Sequence, residues 1–213
     1  MGKRKKIDGV LLLDKPAGIS SNQALQQARW LYQAEKAGHG GTLDPFATGL
    51  LPVLFGEASK FGRYFLDGDK AYEAALAFGT ETDTGDLSGA VIREAAPPPL
   101  DAVDWAALCA GFSGVQRQVP PVYSALKVGG ERAYALARRG EMPQLDAREV
   151  VIHELRFLGM DGDGARFFVR CSKGTYIRSL LRDMATALGS AGHTHALRRV
   201  AVAGLTAMTP LAT

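Results

Sequence analysis

An aspartate directly before a proline, Asp44-Pro45, lies between two apolar residues, Leu43 and Phe46, in the run Gly38-His39-Gly40-Gly41-Thr42-Leu43-Asp44-Pro45-Phe46-Ala47-Thr48-Gly49. Proline pushes the preceding residue toward extended backbone, and apolar neighbours partly strip a carboxylate of water. An Asp-Pro turn residue has the same local sequence. The run has neither helical nor strand periodicity, and its glycines are costly to order, so their concentration points to tight backbone geometry around something. It lacks a Gly-Lys-Ser/Thr ending and a GxGxxG placed after a strand, so a phosphate loop fits poorly and a surface turn is the plainer reading.

Other chemically able residues are scattered. Arg178, in Ser172-Lys173-Gly174-Thr175-Tyr176-Ile177-Arg178, lies where a strand ends, a glycine turn follows and a helix begins. A cation there can face the Asp44 loop or point into solvent from the helix. Asp83 and Asp86 lack the long run of oxygen ligands and the closing glutamate of a calcium loop, so a polar loop is expected. His193 and His195 have no cysteine or carboxylate at a spacing that completes a zinc set. Cys109 and Cys171 are far apart and outside any CxxC, so both are expected to be core thiols.

The composition sets the frame for these groups. With 46% hydrophobic and 22% charged residues over 213 positions, the chain carries enough apolar content for a real core, which excludes global disorder. No stretch reaches the roughly 18 apolar residues of a membrane span. The first residues, Met1-Gly2-Lys3-Arg4-Lys5-Lys6, form a basic arm and not the apolar stretch of a signal peptide, so a cytoplasmic location is expected. A net charge of +3 favours a polyanionic partner without identifying one.

The candidate residues must be positioned by interleaved strands and helices. Residues 10–13 read as a strand ended by Asp14-Lys15-Pro16-Ala17-Gly18; a helix follows, with Ser20 and Gln23 as a capping box and Gly38 as its stop. Residues 50–55 read as a buried strand and 57–65 as a short helix. Tyr72, Ala74, Leu76 and Phe78 alternate on one face of a strand. Residues 80–89 form a polar loop, Pro97-Pro98-Pro99 a connection, and Asp101 opens a helix through Phe112. Further strands are expected over 122–128, 150–158, 165–171 and 197–202, with a helix over 176–188 closed by Gly189. Without a regular βαβ repeat, this predicts one α+β domain around a mixed, largely antiparallel sheet, residues 8–213, preceded by the basic arm at 1–7.

Taken in order, these segments resemble one family. The run from Gly38 through Leu50-Leu51-Pro52 resembles the active-site motif of TruB-type pseudouridine synthases, in which the aspartate before proline is the nucleophile. Asp14-Lys15-Pro16 with Ser20-Ser21-Asn22, Lys70-Ala71-Tyr72, Thr82-Asp83-Thr84, Pro121-Val122-Tyr123-Ser124-Ala125-Leu126-Lys127, the segment ending in Arg178, and Leu197-Arg198-Arg199 also resemble family segments. The resemblance covers residues 8–203. It implies the pseudouridine synthase fold with an active-site cleft, and isomerisation of a uridine in the tRNA T-loop, at position 55, by base flipping. It further implies Asp44 as nucleophile, Tyr72 stacked on the target base and taking part in loss of the C5 proton, and Arg178 paired with the Asp44 carboxylate. Tyr176 and Leu197 would line the uracil pocket, and His39 would fill the T-loop beside the displaced base. Lys15, Lys60 and Arg63 are expected to contact phosphates.

The reaction is a redox-neutral isomerisation, so the resemblance implies no cofactor and no metal. The partner that the resemblance implies is the T-arm stem-loop of tRNA; no membrane and no obligate protein partner are expected, and the chain is expected to be monomeric. Bacterial members usually continue into a small C-terminal RNA-binding domain, which is expected to be absent or truncated here, since the sequence stops at Thr213. Two other classes are open to the residues alone. A non-catalytic RNA-binding module would tolerate asparagine at position 44, and a hydrolase with paired carboxylates would need an acid partner that the Asp44 motif does not supply.

Overall fold

In the computed structural model, residues 4–124, 126–141, 143–162 and 164–211 are described; Ala125, in the Pro121 to Lys127 segment, and Met1 to Lys3 of the basic arm lie outside them. In chain order the elements are β1 (Gly9–Lys15), α1 (Ser21–Leu31), β2 (Ala37–His39), β3 (Thr48–Phe55), a 3-10 turn at Gly56–Phe61, α2 (Gly62–Asp67), β4 (Lys70–Phe78), β5 (Thr80–Thr82) and β6 (Val91–Glu94). After a 3-10 turn at Leu100–Ala102 come α3 (Trp105–Gly111), β7 (Gly114–Gln118), β8 (Lys127–Val128), β9 (Glu131–Arg132), α4 (Ala133–Arg138), β10 (Arg148–Asp161), β11 (Gly164–Cys171), α5 (Ile177–Ala187), β12 (Gly192–Val202) and β13 (Thr209–Pro210). The class is α+β with mostly antiparallel strand pairing. The chain divides into two compact units, residues 1–73 with 197–213, and residues 74–196.

In the first unit β3 is the central strand. It pairs antiparallel with β1 along its whole length, from Gly9 opposite Phe55 to Lys15 opposite Gly49. Its other edge is shared by β2, antiparallel at residues 53–55, and by β12, parallel with Arg198 opposite Thr48 and Arg199 opposite Gly49. Both faces of β3 are covered, which is why residues 50–55 read as an unbroken apolar run. Leu51, Val53 and Phe55 pack with Leu13, Ala24, Leu25 and Ala28, whereas Leu50 and Leu54 pack with Phe65 and Val202.

The capping box of α1 is present: Ser20 Oγ accepts from Gln23 N–H, and Gln23 Oε1 accepts from Ser20 N–H. The helix stops at Leu31, well before Gly38. Gln33 takes a left-handed φ of 55°, and the chain then turns so that Lys5 N–H donates to Gln33 O while Glu35 N–H donates to Lys5 O. Residues 37–39 are thereby free to form β2.

In the second unit β7, β10 and β11 form an antiparallel run. Trp105 of α3 stacks on Phe157, with centroids 4.5 Å apart, and tilts against Phe167. Asp104, not Asp101, caps α3, accepting from Ala107 N–H at 2.9 Å. The expected strand over 122–128 is only Lys127–Val128; after Pro120-Pro121 the chain bends, with Ser124 N–H donating to Val122 O. Along β4, residues on both sides of the alternation are buried, so the one-sided face expected for Tyr72 to Phe78 is a strand covered on both faces for most of its length. Cys109 and Cys171 are both buried.

Gly49 is where β3 needs glycine. Its φ is +101°, and a Cβ there would collide with the carbonyl oxygen of Arg199 on β12. Gly49→Ala should therefore combine backbone strain with a steric clash and cost about 2 kcal/mol or more. Thermal unfolding of parent and variant checks this; a midpoint within about 1 °C of the parent, against an expected fall of roughly 4–8 °C, would remove the close approach as a constraint.

Candidate active site

The loop from Gly40 to Ala47 connects β2 to β3 and carries Asp44, which is half-buried. Having no ladder of its own, the loop must satisfy its backbone polar groups elsewhere. Ser21, at the start of α1, does this for Leu43: its hydroxyl accepts from Leu43 N–H at 2.8 Å and donates to Leu43 O at 3.0 Å. On the other side of Asp44, Pro45 O accepts from Gly18 N–H at 2.9 Å and from Lys15 Nζ at 3.3 Å, and Ala47 N–H donates to Asp44 O. Arg199 binds a third part of the loop, with Nε on Leu50 O at 2.7 Å and its two terminal nitrogens on Gly41 O and Thr42 O, each at 3.2 Å. A Cβ on Gly40 would press into Phe65, so glycine there admits the close packing of the loop on α2.

Two cations are therefore buried beside the loop. Lys15 is 0% exposed, and its ammonium also donates to Pro16 O and Ile19 O, both at 2.8 Å. All three of its donors are used on carbonyls. This corrects the expectation that Lys15 contacts phosphate: it ends an apolar strand and turns inward, holding the turn at 16–19 and the Asp44 loop together. Burial lowers its pKa to about 8; the Asp44 charge opposes that shift and the Arg199 charge adds to it. His39, on β2, is half-buried, and burial first, then the Arg199 charge, hold its pKa below the ordinary imidazole value. Among the described residues, its buried Nδ1 has no hydrogen-bond partner.

Tyr72 on β4 and Leu197 on β12 are buried in the same unit. Lys60 and Arg63 are exposed on the 3-10 turn and α2, each near a local acid, Glu57 and Asp67. Such exposed pairs hold their side chains weakly and leave them available to a stronger anion.

Arg178 belongs to the second unit and is nearly fully buried in the first turn of α5. Its guanidinium donates to Thr84 O at 2.6 Å and Tyr123 O at 3.0 Å, and lies 3.6 Å from Asp86 Oδ2. The polar loop at 82–89 is built around this contact: Asp86 Oδ1 accepts from Thr84 Oγ1 and from Ser88 N–H, both at 2.9 Å, and Thr82 Oγ1 donates to Asp86 O. Tyr176, just before α5, is fixed by Gln118, whose amide accepts from Tyr176 N–H and donates to Tyr176 O, while the Arg148 guanidinium lies 5.4 Å from the centre of its ring. Ser21, Arg199, Asp86 and Gln118 were not singled out from the sequence for these contacts. Leu43, the Asp44 loop, Arg178 and Tyr176, their partners in turn, lie many residues away, and only the Ser20-Ser21-Asn22 and Leu197-Arg198-Arg199 segments gave a signal for the first two. Among the described residues no cluster of His, Cys, Asp and Glu is arranged to hold a metal ion, and no helix is long and apolar enough to cross a membrane.

The depressed pKa of Lys15 has a measurable sign. In the unfolded chain the amine keeps its proton to about pH 10.5, whereas in the folded chain it loses it near pH 8. Between those values the unfolded state binds the extra proton, so the Lys15 contribution to stability improves as pH rises, and it is flat below the lower value. Urea unfolding of the parent and Lys15→Met across this window should show the parent gaining on the variant with rising pH. A difference that stays constant or moves the other way would sink the assignment of a buried, depressed amine.

Residues 29–177 match the family model described as TruB family pseudouridylate synthase (N terminal domain). A protein of Chromohalobacter salexigens named tRNA pseudouridine synthase B is 54% identical over 203 residues, which cover 94% of this chain and 66% of that protein. The protein of the same name from Aromatoleum aromaticum is 53% identical over 200 residues, covering 94% of this chain and 65% of its own length. The chain thus spans just under two thirds of the length of these curated relatives. Among solved structures, a chain in the crystal structure of a Cbf5-Nop10-Gar1 complex aligns with a TM-score of 0.70 at 29% identity, over 91% of this chain and 48% of that one. One in the structure of an H/ACA RNP bound to a substrate RNA containing 2'-deoxyuridine aligns at 0.69 and 26%, over 95% and 51%. With its Asp44 loop, its buried basic frame and a family match across most of its length, the chain belongs to the TruB family of pseudouridylate synthases.

Proposed function

We propose that this chain carries the catalytic centre of a tRNA pseudouridine synthase that converts a uridine of the T-loop, position 55, to pseudouridine. The observation that carries the reading is 54% identity over 94% of the chain to a protein named tRNA pseudouridine synthase B. The reaction breaks the N1–C1′ bond and forms a C5–C1′ bond. C5 loses a proton and N1 gains one, so the conversion consumes nothing and calls for no cofactor. Asp44 is the nucleophile. Its loop supports this role, because a covalent catalyst gains most when the reacting group is fixed before the substrate arrives. A uridine stacked in a loop must be extruded at a cost of a few kcal/mol and held by an aromatic face and polar groups. Tyr72 provides that face, His39 fills the vacated space, and Tyr176 and Leu197 line the uracil pocket. The motif ending in Arg178 carries the assignment of its guanidinium to the nucleophile's carboxylate, a role that planar, two-pronged geometry suits. Lys60 and Arg63 offer exposed cations to the phosphates of the T-arm, the partner RNA. The reading places the chain in the cytoplasm, working as a monomer without an obligate protein partner.

Three measurements test this. Unmodified tRNA incubated with the protein should acquire pseudouridine in its T-loop, and Asp44→Asn should bind the tRNA as the parent does while turnover falls by at least about 1,000-fold, since the amide keeps the shape and removes the nucleophile. Activity of Asp44→Asn within a few-fold of the parent would exclude Asp44 from covalent chemistry. Arg178→Lys should lower the single-turnover rate by roughly 10- to 100-fold with tRNA affinity little changed, because an ammonium cannot reproduce the fork. An unaffected rate would return Arg178 to a purely local role beside Asp86.

A further inference from the structure

We propose that Arg199 is a positioning residue for the nucleophile, holding the Asp44 loop in its reactive geometry; this inference rests on the reading of Asp44 as nucleophile given above. The guanidinium is 1% exposed, and its three nitrogens each donate to a different backbone carbonyl, at Gly41, Thr42 and Leu50. A buried charge ordinarily has a carboxylate partner, because leaving water costs several kcal/mol. Here, among the described residues, its hydrogen bonds all go to carbonyl oxygens of the segment that contains Asp44.

The acceptors mark what the residue does. Gly41 and Thr42 lie three and two residues before Asp44, and Leu50 lies beyond the loop in β3. The planar fork therefore ties the entry of the loop to the strand that follows it. Leu43 is fixed separately by Ser21, and Pro45 by Gly18 and Lys15, so the residues on both sides of Asp44 are held. Gly49 completes the arrangement: lacking a Cβ, it lets the Arg199 backbone approach closely enough for the side chain to reach back to residues 41 and 42. A lysine at 199 would keep the charge, but its donors radiate from one nitrogen, whereas the guanidinium reaches these carbonyls from three separate nitrogens held in a planar fork. The carbonyls at 41 and 42 would then be released, and the nucleophile would lose its fixed direction.

The test compares the parent with Arg199→Lys and Ser21→Ala on an unmodified tRNA transcript, measuring affinity, single-turnover rate at saturating enzyme, and thermal midpoint. Loss of about an ångström of alignment corresponds to a rate loss on the order of 100-fold. Arg199→Lys is expected to show a loss of that size with affinity within about threefold of the parent, a separation of rate from binding that lower stability alone would not produce in folded protein. Ser21→Ala, which leaves the buried cation in place, is expected to slow the rate by roughly tenfold, again with binding retained. If Arg199→Lys folds and reacts within about threefold of the parent, or loses binding and rate by the same factor, the inference is wrong. If Arg199→Lys does not fold, Ser21→Ala decides: a parental rate overturns the positioning account, and a slowed reaction with retained binding upholds it. A parent that forms no pseudouridine overturns the functional reading and this inference with it, whereas an active parent with parental rates in both variants counts against this inference alone.

Discussion

Two buried cations with backbone carbonyls for partners define the site. Among the described residues, Arg199 and Lys15 together make six hydrogen bonds, of which four reach the Asp44 loop or the start of the strand after it and two hold the turn at Pro16 and Ile19. Hydrogen bonds to a charged group oppose the cost of withdrawing the ion from water, and a buried ion is weak evidence of net stability. Its effect is geometric. Asp44 O accepts from Ala47 N–H within the loop, while the cations supply donors to the carbonyls of Gly41, Thr42 and Pro45.

The same loop shows what a sequence can and cannot disclose. Asp44 stood out because Asp-Pro between Leu43 and Phe46 in a glycine-rich run is locally unusual, and residues 50–55 stood out because a strand covered on both faces is apolar throughout. The α1 start was legible because a capping box is written in two residues three positions apart. Its end was not. A left-handed Gln33 and the pairing of Lys5 with residues 33–35 terminate the helix, and neither has a compositional mark. The stretch at 122–128 carries strand-forming residues, but the Pro120-Pro121 pair and the bends after it leave only two residues in extended pairing. Asp101 and Asp104 are equally good caps by type, and only the three-dimensional course of the chain chose Asp104.

The supporting residues were less legible than the chemistry they support. Arg199 binds carbonyls about 150 positions earlier, and Ser21 one 22 positions later; no periodicity encodes such pairs. Asp86 reads as a loop residue because its neighbours are polar, yet it is buried against Arg178, and those neighbours are spent on holding its carboxylate. Lys15 reads as a surface cation because lysine is rarely buried. The apolar strand before it and the turn after it bring its ammonium to three carbonyls at once. Tyr72 and Arg178 acquired roles only through the resemblance of whole segments to a family, since one tyrosine and one arginine carry no spacing of their own.

The adjacent arginines of β12 show how finely strand register is tied to the site. Successive side chains on a strand point to opposite faces. Arg198 turns to one side and forms a two-pronged pair with Asp14, at 2.7 and 3.1 Å; Arg199 turns to the other and enters the loop. Their residue types are identical, so nothing in the side chains distinguishes the two positions. The distinction comes from the pairing of β12 with β3, where Arg198 lies opposite Thr48 and Arg199 opposite Gly49. Only the glycine admits the close backbone approach, because any Cβ at 49 would meet the Arg199 carbonyl. A slip of one residue would place Arg198 against the glycine and exchange the two faces, sending the Asp14 partner into the loop and the loop partner away from it. The glycine in the motif after Asp44 thus acts at a distance from the chemistry: it sets which arginine is buried, and through that arginine it sets the path of the backbone on which Asp44 is carried.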